Sequence, residues 1–157
     1  MSRSGADLAL LLLGEFRTLA DRATAELAAR GYEGVRPVHD FALQAILSGA
    51  DNASELGRRM SVTKQSAAKT IAVLEERNYV AREPDAKDGR RMRLHVTDHG
   101  LAMLREGEAI FDELREQWAK QVGEGPLAGI EDALRRLVGN SAVRLDAPGW
   151  IARDLGS

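Results

Sequence analysis

The chain has 157 residues, 44% hydrophobic and 29% charged. That is long enough to bury a core and too apolar for a disordered chain. It contains no cysteine, which excludes disulfides, thiolate metal sites and thiol-based redox sensing. The formal net charge is −2, so the whole chain carries no polycationic signature. The charge is unevenly spread, however. Between Glu55 and His95, ten Lys/Arg stand against six Asp/Glu, and elsewhere twelve stand against eighteen. A basic segment on an acidic body is an electrostatic footprint for DNA. Aromatic residues make up only 4%, so the core must be built of Leu, Ala, Val and Ile, which suits packed helices.

Residues 6–29 read as one helix, because Leu8, Leu12, Phe16, Leu19, Ala23 and Leu27 recur every three or four positions. Leu10, Leu11 and Leu13 widen that stripe until the first turns are apolar nearly all round. Such a helix needs cover on more than one side, and a partner chain is the expected source. The run Leu8–Leu13 is far too short for a membrane span, which needs ~20 apolar residues. It lacks the flanks of a signal peptide, and a cytoplasmic location is expected. Gly31 and Gly34 end the element. A second helix opens at Pro37 and carries Phe41, Leu43, Ile46 and Leu47.

Asn52 begins a capping box, with Glu55 three residues on expected to reach back to it. The short helix spans about 53–60, with Leu56 and Met60 facing inward. Ser61-Val62-Thr63 forms a turn in which Val62 plugs two helices together. Thr63 caps the next helix, about 64–77, whose buried side is Ala67, Thr70, Ile71 and Leu74. Asn78 stands where a left-handed residue ends it. Tyr79–Arg82 is a short strand, Pro84–Gly89 a turn-rich loop, and Arg91–Val96 the returning strand of a hairpin. Thr97 caps a helix from 98 to about 122, with an apolar stripe of Leu101, Leu104, Ile110, Phe111, Leu114, Trp118 and Val122. A break at Gly123–Pro126 precedes a last amphipathic helix over 127–138. The tail from Gly139, with Pro148 and Trp150, has no period and is expected to be irregular or packed on a partner chain.

Helix, turn, helix and hairpin in that order form a winged helix-turn-helix. Several pieces of it resemble the MarR family of transcriptional regulators: Ser54-Glu55-Leu56-Gly57 in the short helix, Val62-Thr63-Lys64-Gln65-Ser66 opening the next, and Leu74-Glu75 near its end. Asp88-Gly89-Arg90 matches the wing, and His95-Val96-Thr97-Asp98-His99-Gly100 the signature after it. His95 departs from that signature's leading Leu, and Asn78 replaces a usual Gly after the recognition helix, which Asn tolerates. The resemblance covers roughly residues 37–138. It implies homodimers whose first and last helices interlock. It also implies repressors that release DNA when a small phenolic or lipophilic ligand binds between the dimer region and the winged module.

The expected architecture is mainly α with a small β-hairpin wing. It divides into an N-terminal dimerisation helix (1–36), a winged helix-turn-helix (37–97) and C-terminal dimerisation helices with the tail (98–157). The expected function is a homodimeric, ligand-responsive repressor on a pseudo-palindromic duplex. Thr63, Lys64, Gln65, Ser66 and Lys69 open the recognition helix, the part that meets base edges in the major groove. Arg90 at the wing tip suits a narrow minor groove, with Asp88 holding it. Lys87, Arg91 and Arg93 on the wing, and Arg58 and Arg59 on the short helix, suit phosphates. A solvated polar face or a solubilising charged loop would produce the same residues without DNA.

Phe16, Tyr32, His39, Phe41, Phe111 and Trp118 could line a pocket for a small aromatic or lipophilic effector, or serve only as packing. His95 and His99 are four apart but open different elements, and no cofactor or metal site is expected. No phosphate-binding glycine loop, serine elbow or helical zinc motif is present, so no enzyme activity is expected. Two rival readings remain: a winged helix turned to a protein partner without reading DNA, and a metal-responsive regulator.

Overall fold

The computed structural model describes residues 4–138. The expectation for the tail after Gly139 lies outside them. Six helices and one two-stranded antiparallel hairpin make up the described residues. Helix α1 (Gly5–Ala29) starts one residue earlier than its apolar period predicts. Ser4 caps it: the hydroxyl accepts from the Asp7 amide at 3.1 Å and the Asp7 carboxylate accepts from the Ser4 amide at 3.3 Å. Only the second half of α1 is buried, through Ala20, Ala23 and Leu27. Leu8, Leu10, Leu11, Leu12 and Phe16 stay exposed on a single chain.

Helix α2 (Pro37–Leu47) begins at its proline, where no amide is missed. It sends Ala42, Leu43, Ala45 and Ile46 into the core, whereas Leu47, at its last position, is exposed. Helix α3 (Ala53–Arg59) is capped by Asn52, whose side chain accepts from the Glu55 amide at 2.9 Å. The expected reach of Glu55 back to the cap does not occur. Its carboxylate pairs instead with Arg58 one turn on, where opposite charge is available. The turn into helix α4 (Lys64–Glu76) passes through Ser61, which takes φ 54°. Val62 then packs partly buried against the core. Thr63 caps α4 by accepting from the Ser66 amide at 3.0 Å. Asn78 adopts φ 62°, the left-handed stop expected of it.

Strands β1 (Val80–Pro84) and β2 (Met92–Val96) pair antiparallel, with Val80 opposite Val96 and Pro84 opposite Met92. The first strand therefore starts one residue later, and ends two residues later, than composition predicts, because Tyr79 is used to close the recognition helix. Its amide donates to Leu74 and its carbonyl accepts from Thr97 at 3.0 Å. Helix α5 (Asp98–Val122) follows directly from the Thr97 cap. Gly107 lies buried within it and leaves it unbroken. Gly100 is there for space: a Cβ would lie 2.3 Å from the Tyr79 carbonyl oxygen.

The expected break at 123–126 contracts to Gly123 alone, at φ 95°. Helix α6 (Glu124–Val138) takes Pro126 into its first turn, where proline is tolerated, so it starts three residues before the expected 127.

The core is aliphatic. Val35, Leu43, Leu56, Ile71, Leu74, Met103 and Ile110 are its largest fully buried side chains. It lies where α2, α3, α4 and the hairpin meet α5. Helices α1 and α5 run antiparallel and are tied by Arg30, which reaches Glu106 and Glu113 at 2.8 Å each. Arg115 ties α6 back to α5 through Glu124 and Glu131. No described helix is long and apolar enough to cross a membrane.

Candidate nucleic-acid interface

Ala67, Ile71 and Leu74 anchor α4 in the core and so fix which face is left outside. Thr63, Lys64, Gln65, Ser66, Ala68 and Lys69 are all exposed. Thr63 spends an acceptor lone pair on the cap, and Thr70, half-buried, donates back to the Ser66 carbonyl at 3.2 Å. Among the described residues, Lys64, Gln65 and Lys69 make no side-chain hydrogen bond or ion pair. No acidic residue occupies the first turn of α4, so the positive end of the helix dipole faces outward beside Lys64. The five expected residues thus share one open surface. Ala68 lies on it too; the sequence gives a small apolar residue no polar signal by which to be found.

Short hydrogen bonds build the wing tip. The Asp85 amide donates to the Arg91 carbonyl at 2.7 Å, and the Arg91 amide to the Asp88 carbonyl at 3.0 Å. The Asp88 carboxylate accepts from the Arg90 amide at 3.1 Å, and that of Asp85 from the Lys87 amide at 2.9 Å. Asp88 therefore holds Arg90 by its backbone rather than by its guanidinium. The Arg90 and Lys87 side chains are exposed and carry no ion pair among the described residues.

The other expected phosphate contacts are not equally free. Arg91 and Arg93 lie 3.7 and 3.5 Å from the Asp51 carboxylate, and Arg58 pairs with Glu55. Arg59 turns inward, donating to the Ser48 carbonyl at 2.8 Å and the Ala45 carbonyl at 3.4 Å. It satisfies the open carbonyls at the end of α2, a structural use that its charge alone did not reveal. Arg82 binds wing to recognition helix: its Nε and Nη2 donate to Glu75 Oε1 at 3.1 and 3.0 Å.

The six expected effector residues fall on several elements, with different surroundings. His39 is 8% exposed, and its Nδ1 accepts from the Arg36 amide at 3.0 Å, so it completes the start of α2. Burial first, then the positive charges of Arg77 and Arg36, lower its pKa to about 4. Phe41 is partly buried against the core. Tyr32 stacks on His99 at 5.7 Å, and His99 on Tyr79 at 4.8 Å. Phe16 on α1 and Phe111 on α5 are exposed, and Trp118 is half-buried. One groove between α1 and α5, of about 290 Å³, is lined by Arg22, Glu26, Ile110, Glu113, Leu114 and Gln117, none of the expected six.

Half-buried beside α5 is Asp40, whose pKa is raised by desolvation. The Gln44 amide, 3.5 Å away, offsets this in part. His95 on β2 lies 3.7 Å from Glu83, while His99, at the start of α5, stacks on Tyr79. Among the described residues no three His, Asp or Glu side chains are placed to hold a metal ion.

Residues 35–91 match the sequence model of the MarR family. No curated protein matches the chain. Among solved structures, the YusO protein from Bacillus subtilis is similar at 21% identity and a TM-score of 0.65, over 88% of this chain and 99% of that one. FabT from Streptococcus pneumoniae, solved in complex with DNA, is similar at 18% identity and a TM-score of 0.68, over 85% and 94%. MepR from S. aureus, bound to ethidium bromide, is similar at 17% identity and a TM-score of 0.58, over 88% and 97%. The match spans α2, the helix-turn-helix, β1 and the wing loop but stops before β2, and the likenesses extend the same architecture through the flanking helices. Residues 35–91 are thus similar to the MarR family, and the chain shares the winged helix-turn-helix fold of these structures.

Proposed function

We propose that this protein is a cytoplasmic, homodimeric transcriptional regulator that reads a pseudo-palindromic DNA site. The observation that carries the reading is the open surface of α4: Lys64, Gln65 and Lys69 stand unpaired beside a wing whose Arg90 is also free. Gln65 suits adenine, Lys64 and Lys69 suit guanine or phosphate, and Thr63 and Ser66 suit either. Arg90 enters the minor groove, Lys87 and Arg58 lie against phosphates, and Arg91 and Arg93 join them once released from Asp51. The FabT structure, solved with DNA, supports this use of the fold. The protein works as residues 1–36, 37–97 and 98–157, with the two outer parts forming the dimer. Two modules would then place their recognition helices about one helical turn of DNA apart.

The output is repression relieved by a small aromatic or lipophilic molecule. The ethidium-bound MepR structure supports the idea that the fold accepts such ligands. Phe16, Phe111 and Trp118 are the chain's own residues for that pocket, completed by the second protomer. His39 is left out of it, since it is spent on the start of α2.

Selection of duplexes from a random-centre pool by the purified protein should return an inverted repeat with half-sites one turn apart. On that site Arg90→Ala should weaken binding by about 1–3 kcal/mol, most where A·T pairs lie under the wing. Lys64→Ala should weaken it as well. Recovery of no sequence at moderate salt, together with silent Arg90 and Lys64 variants, would turn the winged helix over to a protein partner.

A further inference from the structure

Asp51 lies in the loop between α2 and α3, outside both elements expected to touch DNA, yet among the described residues the hydrogen bond and ion pairs from that loop to the returning side of the hairpin are all its own. Its carbonyl accepts from the Leu94 amide at 2.9 Å, so it adds one rung to the outer edge of the hairpin. Its carboxylate faces Arg91 Nη2 at 3.7 Å through Oδ1 and Arg93 Nε at 3.5 Å through Oδ2. Asn52, the cap of α3, donates to the same Oδ1 at 3.1 Å and fixes the carboxylate to the helix-turn-helix. The Asp51 side chain is only 23% exposed, whereas both arginine side chains are about half exposed. One held anion thus faces two half-exposed cations. Both separations exceed a good charged hydrogen bond, so the pairs are loose enough to exchange.

We propose that Asp51 is a positioning residue that sets specificity: it occupies Arg91 and Arg93 in the manner of a phosphate. Resting on the DNA-binding reading above, this makes the two arginines available only to a duplex whose backbone is brought close by correct seating of α4 and Arg90. A non-cognate duplex, lacking that seating, must compete with Asp51 for them. The carboxylate therefore costs the protein little on its own site and more on every other.

Asp51→Asn keeps the backbone bond to Leu94 and removes the charge. The variant should elute from a heparin column at higher salt than the parent protein. It should also bind a random-sequence 20-mer duplex about 3- to 10-fold tighter. Its log–log salt slope should be steeper by about 1 to 2, the count of phosphates newly engaged. Glu116→Gln, which removes the same charge from an exposed position on α5, should shift all three far less. In an Arg91→Ala/Arg93→Ala background, Asp51→Asn should do no more than Glu116→Gln. Equal shifts from Asp51→Asn and Glu116→Gln, or an Asp51→Asn effect that survives loss of both arginines, would overturn the proposal. The heparin measurement needs no sequence reading. A parent protein that selects no duplex while heparin retention behaves as expected would defeat the regulator reading and leave Asp51's hold on the wing standing.

Discussion

Leu43, Leu56, Ile71 and Leu74 are sealed inside the winged helix, whereas Leu10 and Leu11 on α1 are each 66% exposed. The two sets are chemically alike, and local helix signals are good in both regions. The difference lies in what the chain brings against them. From α2 to β2 the elements are short and packed against one another, so most large apolar side chains are covered, Leu47 and Met92 being exposed at element ends. The first half of α1 is left largely uncovered by the described residues. A single chain therefore completes one core and leaves a second half-built, and that remainder is what the proposed dimer would cover.

Three experiments separate these regions, and the largest effect should come from the incomplete one. Leu10→Glu with Leu11→Glu should remove on the order of 3–6 kcal/mol from dimer association, the burial of two leucines. Sedimentation should then show half the mass at an unchanged circular dichroism spectrum. A dimer of undiminished mass would mean that these leucines are covered by something else.

The complete region should answer to space instead. Gly100→Ala places a Cβ 2.3 Å from the Tyr79 carbonyl oxygen and 2.7 Å from Val96 Cγ1, so α5 or the hairpin base must shift. A loss of roughly 3 kcal/mol is expected in denaturant unfolding. Gly107→Ala on the same helix finds its nearest neighbour at 3.7 Å and should be neutral, or gain up to about 1 kcal/mol from helix propensity. Equal losses at the two positions would show that the constraint at Gly100 is not the hairpin base.

The smallest effect is one of pH. His39 is neutral when folded because its pKa falls to about 4, while the unfolded chain takes up a proton near 6.5. Its contribution to stability is therefore complete above pH 6.5, declines as pH falls, and is gone below about 4. The loss should be on the order of 2–3 kcal/mol. His39→Gln can still accept from the Arg36 amide, and should unfold with a correspondingly flatter dependence over that window. Parallel pH profiles for the two proteins would show that His39 does not titrate between the folded and unfolded states as its burial requires.

Local chemistry made much of the architecture legible. Asn52, Thr63 and Thr97 cap the three helices they precede, because a side-chain oxygen beside free amides needs nothing from the rest of the fold. Asn78 could be identified as the left-handed stop for the same reason. Errors arose where two local solutions competed. Glu55 had both a cap and an arginine within reach and took the arginine. Pro126 looked like a break and became the first turn of α6. Among the candidate site residues, those on α4 emerged together because the period of Ala67, Ile71 and Leu74 already fixed which side was outside. The pocket residues carried no such signal, since aromatic composition says nothing about which helices converge.

Helix type, cap positions and the polar face of α4 were determined by the sequence alone, because each depends on neighbours within four residues. Which arginines are free was decided only by tertiary structure. Arg58, Arg59, Arg90, Arg91 and Arg93 are equivalent as letters. Yet Arg59 is spent on the end of α2, Arg91 and Arg93 face Asp51 some forty residues upstream, and Arg90 stands open. The free charge of a guanidinium depends on what the fold places within about 4 Å of it, and that distance is not written in the order of residues.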